Sequence, residues 1–162
     1  MNKFLSTLIF IGALGYIGLA YSNVEDEIKT ILAKNEAPAG VIFEIVESKE
    51  SSLEWAIPQV QKYAKKLRNR FPKLNLAVVT HGKEEFALLT KKKQKYASIH
   101  EAVKKMTTEE DIPVHVCGTH ASWYGKNEAD FPDYVDVAPA GPVQISNYEE
   151  LGYVRVKLEK PR

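Results

Sequence analysis

Three short runs in this sequence are apolar almost without a break, and each is followed by a segment of helical period. Residues 41–47 read Val-Ile-Phe-Glu-Ile-Val-Glu, residues 74–80 read Leu-Asn-Leu-Ala-Val-Val-Thr, and residues 112–117 read Ile-Pro-Val-His-Val-Cys. Runs this short and this rich in β-branched residues fit strands buried on both faces. After the first run, Leu53, Ala56, Ile57, Val60, Ala64, Leu67 and Phe71 recur at helical spacing with lysines and arginines opposite. Ser51 or Ser52 can cap that helix. Pro58 belongs in a first turn, so the regular part is expected from near Ile57, and Phe71-Pro72 ends it. Residues 84–89 look helical and short, and 96–106 form a second amphipathic helix with Ile99, Val103 and Met106 inward. Strands alternating with helices imply an α/β fold, a mostly parallel sheet of about five strands covered on both faces by helices in three layers, α/β/α, with right-handed crossovers.

The remaining elements are shorter. Residues 135–137 make a small strand. Pro139-Ala140-Gly141-Pro142 reads as a rigid turn, and Asn147 caps a single helical turn at 148–151 closed by Gly152. Residues 153–158 alternate with period two, as a half-exposed edge strand does. Glu44 interrupts its strand, either to face a sheet edge or to pair with a base. Trp55 and Tyr63 are read as packing.

Met1-Asn2-Lys3 is a short positive start, residues 4–20 are apolar, and Ala20-Tyr21-Ser22 puts small residues at −3 and −1 of a cleavage site before Asn23. That is the layout of a secretory signal peptide. The run is close enough to the ~20 residues of a spanning helix that an uncleaved N-terminal anchor is the alternative. Residues 1–22 are therefore a leader or anchor, 23–40 a linker or short helix, and 41–160 the domain proper. Either way the body of the chain is expected in the periplasm or otherwise exported, touching membrane only through an uncleaved N-terminal segment.

About 140 residues remain, the size of one domain. A formal net charge of +1 gives no nucleic-acid footprint, and the basic clusters at 62–70 and 91–95 read as solvated faces. The chain has one cysteine, Cys117. A lone thiol in an exported protein is inert packing, a partner for another chain, or a reactive sulfur.

In parallel sheets, ligands gather outside the carboxyl ends of the strands. His81-Gly82, Cys117 and the turn carrying Gly141 all fall at such ends. A cysteine just before a helix gains from backbone N–H groups and the macrodipole. If Gly118 or Thr119 starts a helix, Cys117 sits there, with His120 three residues on and His81 on a neighbouring loop to supply positive charge or a proton. A hydrogen-bonded structural role for either histidine is the competing reading. His115 is read as a core or interface histidine and His100 as a surface one. Cys117 with His81, His115 or His120 is also compatible with copper or zinc, although no second close pair supports a metal. No Gly-x-Gly-x-x-Gly follows the first strand, and no cofactor is expected.

With Cys117 placed after the third strand, the chain resembles the DsrE/DsrF-like family, in its exported form. The resemblance spans roughly residues 41–158. It rests on Trp55-Ala56-Ile57-Pro58-Gln59-Val60, Ala77-Val78-Val79-Thr80-His81-Gly82, Val114-His115-Val116-Cys117-Gly118-Thr119, and Gly141-Pro142-Val143-Gln144-Ile145 with Leu151-Gly152-Tyr153. It implies a three-layer α/β fold, homo-oligomeric assembly, and sulfane sulfur carried as a persulfide on Cys117 and relayed between a donor and an acceptor protein. Cys117, His81 and His120 would be the catalytic set, Gly118 and Thr119 the persulfide-holding helix start, and Gly82 and Gly141 the rim. The family's well-understood carriers are cytoplasmic, and some members lack the cysteine. The alternative is a non-catalytic, oligomeric interaction or metal-binding protein of the cell envelope, with Trp123, Tyr124 and Tyr134 as its surface.

Overall fold

The computed structural model describes residues 24–160; the N-terminal apolar run lies outside them. Five strands form one parallel sheet in the order β4-β3-β2-β1-β5: β1 Gly40–Ile45, β2 Asn75–Thr80, β3 Val114–Cys117, β4 Asp136–Ala138 and β5 Tyr153–Leu158. β1 lies between β2 and β5 and is buried along its whole length, which is why its sequence is apolar at successive rather than alternate positions.

The two faces differ. Val41, Phe43, Ile45, Leu76, Val78, Val114, Val116, Val156 and Leu158 point to one face and share a large core with helices α1 (Val24–Leu32), α2 (Leu53–Arg70) and α3 (Ala97–Thr108). The other face carries a small cluster of Ile42, Ala77, Val79 and Ile145, with Tyr148 and Tyr153 packed on it, under helix α5 (Gly141–Glu150). Side chains alternate across a strand, so Glu44, His115, Cys117 and Arg155 belong to this second, thinner side.

Several local expectations are corrected. Gly141 and Pro142 of the expected turn and residues 148–150 of the expected helical turn belong to one ten-residue helix, α5, with Pro142 in its first turn, where its missing N–H would be unsatisfied anyway. Only Ile145 and Tyr148 of α5 meet the sheet cluster, too few to print a periodic stripe. α2 starts at Leu53, not near Ile57, and Pro58 sits inside it; Pro58 is exposed, so the carbonyl it leaves free is open to water. Ser52 precedes that helix without capping it, and its hydroxyl instead donates to Glu47 at 3.2 Å. Residues 83–88 are 3-10 rather than α-helix. In the 23–40 stretch, by contrast, the short-helix reading holds: residues 24–32 form a helix whose Ile28 and Ile31 are in the core.

His100 is a further correction: it is buried, not on the surface. Its Nδ1 meets the Tyr134 hydroxyl at 2.6 Å and its Nε2 the Ala87 carbonyl at 3.0 Å. Burial holds it below the ordinary imidazole range, so the neutral ring donates from Nε2 and accepts from the tyrosine. Tyr134 is thereby tied into the fold. Tyr134→Phe is expected to cost about 1 kcal/mol, read from the urea midpoint, with no change at Cys117. Among the described residues, no helix is long and apolar enough to cross a membrane.

Candidate functional site

Cys117 ends β3 and is the residue before α4 (Gly118–Trp123). Helices α4 and α5 leave adjacent strands toward opposite sides of the sheet. Ala121 of α4 joins the large core, while Ile145 of α5 joins the small one. The crevice between β3 and β4 is therefore a point where the chain changes face, the place where open parallel sheets accept ligands. The thiol sits in it. Its Sγ accepts the His120 N–H at 3.3 Å from α4 and the Gly141 N–H at 3.2 Å from α5. The residue is only 4 % exposed.

Two histidines, His81 and His120, stand at the same end of the sheet, and each is anchored on a buried glutamate. His120 Nδ1 lies 2.8 Å from Glu85 Oε1, and the other oxygen of Glu85 accepts the Cys117 main-chain N–H at 3.0 Å. The His120 ring stacks on Phe86 at 5.3 Å and meets Tyr124 and Trp123 edge-on. His81 Nε2 lies 2.8 Å from Glu44 Oε1, while Glu44 Oε2 accepts from Arg155 Nε at 2.7 Å and Nη2 at 2.6 Å.

The two carboxyls are tuned in opposite directions. Burial pushes Glu44 up, but the bonds from His81 and Arg155 outweigh it and leave it below the ordinary range. Glu85 has no cation of that kind among its hydrogen-bond partners. Burial pushes it up to about 8; the Cys117 N–H pulls it down, and neighbouring Glu84 adds to the rise. Burial also lowers His120, with the charges of His81 and Lys83 acting the same way. The Glu85–His120 pair is thus neutral near pH 7, and the Glu44–Arg155 pair is ionised.

Of the residues singled out in the sequence, Cys117, His81, His120 and Gly141 come together. A Cβ on Gly141 would lie 2.6 Å from His81 Cβ and 3.4 Å from Cys117 Cβ, so only glycine lets α5 close on the thiol. Gly118 and Thr119 do not supply the sulfur's donors. Thr119 gives both its N–H and its hydroxyl to the Pro139 carbonyl, at 3.0 and 2.7 Å, which ties α4 to the start of α5. Gly82 serves Glu84, whose carboxylate collects the Gly82 N–H, the Glu47 N–H and the Thr80 hydroxyl. His115 lies on the same face as the thiol but turns to the Tyr148 hydroxyl at 3.0 Å and Asp136 at 3.4 Å. Among the described residues, no three His, Cys, Asp or Glu side chains converge as a metal site.

Sequence reasoning missed Glu85 and Arg155. The one available signal for Glu85 was a pair of adjacent acids running straight into Phe86-Ala87-Leu88-Leu89. A groove of about 350 Å³ opens at the amino ends of β3 and β4, lined by Thr107, Asp111, Asp133 and Asp136 among others, away from the thiol.

Fold and site together define a five-stranded parallel α/β protein with a thiol at its face-changing crevice. No family model matches the sequence, and no curated protein does. Solved structures do. A protein of unknown function, MTH1491 from Methanobacterium thermoautotrophicum, superposes with a TM-score of 0.58 at 19 % identity over 73 % of this chain and 97 % of its own. The ychN protein from E. coli gives 0.51 at 16 % over 74 % and 99 %. BT1422 from Bacteroides thetaiotaomicron, also of unknown function, gives 0.50 at 12 % over 72 % and 94 %. These likenesses establish the fold that the chain shares with them.

Proposed function

We propose that this chain accepts sulfane sulfur on Cys117 as a persulfide and passes it to a partner protein. One observation carries the reading: Sγ lies at the carboxyl ends of the strands with two backbone N–H donors on it, at the same end of the sheet as two histidines that are each fixed by a buried glutamate. A thiolate is the nucleophile such chemistry needs, and N–H donors stabilise anionic sulfur before and after transfer. The Cys117 thiolate attacks the outer sulfur of a donor persulfide. A new S–S bond forms, the donor's S–S bond breaks, and the donor leaves as a thiolate that takes up a proton, with no net oxidation. The partners are a sulfur donor, a sulfur acceptor and further copies of this chain, with the exposed Trp123 and Tyr124 beside the site as the contact surface. The setting would be outside the cytoplasm, by the leader or anchor at residues 1–22.

The burial of Cys117 favours the competing reading, a packed cysteine in an interaction subunit. Intact mass separates the two. After brief exposure to polysulfide, the full chain is expected to gain one or more sulfur atoms that a reductant removes, and Cys117→Ser is expected to gain none while melting at the same temperature. Equal gain in both proteins ends the proposal. No gain in either, with alkylation only after unfolding, selects the interaction subunit.

A further inference from the structure

Glu85 is 0 % exposed, yet it touches both parts of the thiol centre: Oε2 holds the Cys117 main chain and Oε1 holds His120 Nδ1. Its surroundings hold no neutralising side chain of the kind Glu44 has in Arg155. They consist of Cys117, His120 under Phe86, and the equally buried Glu84, whose oxygens are already taken by Thr80, Gly82 and Glu47; His81 and Lys83 face His120. A carboxylate so enclosed opposes a second negative charge on the neighbouring sulfur.

We propose that Glu85 is a positioning residue that works un-ionised: it donates its own proton to His120 Nδ1 and so fixes the tautomer that carries hydrogen on Nε2. The site then holds one negative charge, on sulfur, and none on the carboxyl that is bonded to the Cys117 main chain. When Glu85 loses its proton, His120 must donate from Nδ1, and Nε2 becomes a lone pair. A carboxylate then holds the Cys117 main chain, and its charge disfavours thiolate or persulfide on the same residue. This role rests on the reading of Cys117 as the working sulfur, but its test does not require sulfur transfer.

Cys117 is the only cysteine, so its alkylation by iodoacetamide, read as intact mass, reports this thiol alone. Glu85→Gln keeps an acceptor for the Cys117 N–H and a donor for Nδ1. It is expected to match wild type within about twofold at pH 7 and to exceed it by about tenfold one unit above the Glu85 midpoint of about 8, where wild type ionises. Nitrogen-15 spectra of wild type at pH 7 are expected to show His120 protonated on Nε2, a signature that does not depend on any variant folding. Superimposable pH profiles, or a His120 proton on Nδ1 at pH 7, overturn the proposal. If wild type takes up no sulfur from polysulfide while these profiles differ as expected, the relay reading fails and the positioning role stands. If sulfur loads and the profiles coincide, the reverse holds.

Discussion

Gly141→Ala is expected to destabilise the chain by about 2 to 3 kcal/mol and to speed alkylation of Cys117 at neutral pH. The new methyl would lie 2.6 Å from His81 Cβ and 3.1 Å from its Cγ. Cβ cannot swing aside, because it is fixed to the backbone, and His81 N–H is bonded to the Ile45 carbonyl at 3.1 Å at the end of the sheet, while the ring is held by Glu44. The start of α5 must therefore lift. Lifting removes the Gly141 N–H from Sγ, which lowers reactivity, and uncovers a thiol that is only 4 % exposed, which raises it. Access is expected to win, since loss of one N–H donor is worth about 1 kcal/mol whereas lifting α5 opens the main cover over a sulfur that is only 4 % exposed. Urea denaturation and the alkylation rate check the two parts. An unchanged rate with lowered stability would mean that α5 is not what covers the sulfur.

The second large effect concerns pH. Stability is expected to fall by about 2 kcal/mol as pH rises from about 6.5 to about 8, and Glu85→Gln is expected to flatten that fall. Burial raises the folded carboxyl from 4.5 to about 8. Between those values the folded chain holds a proton that the unfolded chain has released. Stability therefore decreases with rising pH across the window and is fully present only below the unfolded value. Glu84 is raised by burial as well and acts in the same direction. Burial lowers His100, His115 and His120, so each gives the opposite slope as pH falls below the imidazole value of 6.5, where the unfolded chain binds the extra proton. The opposing terms overlap below 6.5 and leave the carboxyl term alone above it. Urea midpoints across pH, for wild type and Glu85→Gln, measure the difference. A wild-type curve flat from 6.5 to 8 would place an ionised Glu85 in the folded chain and remove the physical basis of its positioning role.

The relation between sequence and site is clearest at three glutamates. Glu44 was conspicuous because it broke an apolar strand, and pairing with a base was one of two readings; the structure supplies that base as His81 and adds Arg155 from a strand 111 residues away in sequence. Glu84 and Glu85 sit in a 3-10 segment with no periodicity to mark which way a side chain points. Their burial follows from how that segment folds down beside β3, which is a long-range outcome. His100 misled for a related reason. A histidine on an amphipathic helix reads as surface unless its partners are known, and both its partners, Ala87 and Tyr134, come from other elements.

By itself, the sequence determined the strands, the parallel α/β class and the strand-end position of His81, Cys117 and Gly141. These follow from local apolar runs, helical spacing and the geometry of parallel connections, and each is written within a few adjacent residues. Only the tertiary structure decided which backbone N–H groups meet the sulfur, that α5 is a full helix closing over it, and which carboxyl holds each histidine. Those depend on side chains brought together from β1, β2, β3, β5 and the 83–88 segment. They depend also on burial deep enough to leave one glutamate ionised beside an arginine and another neutral without one.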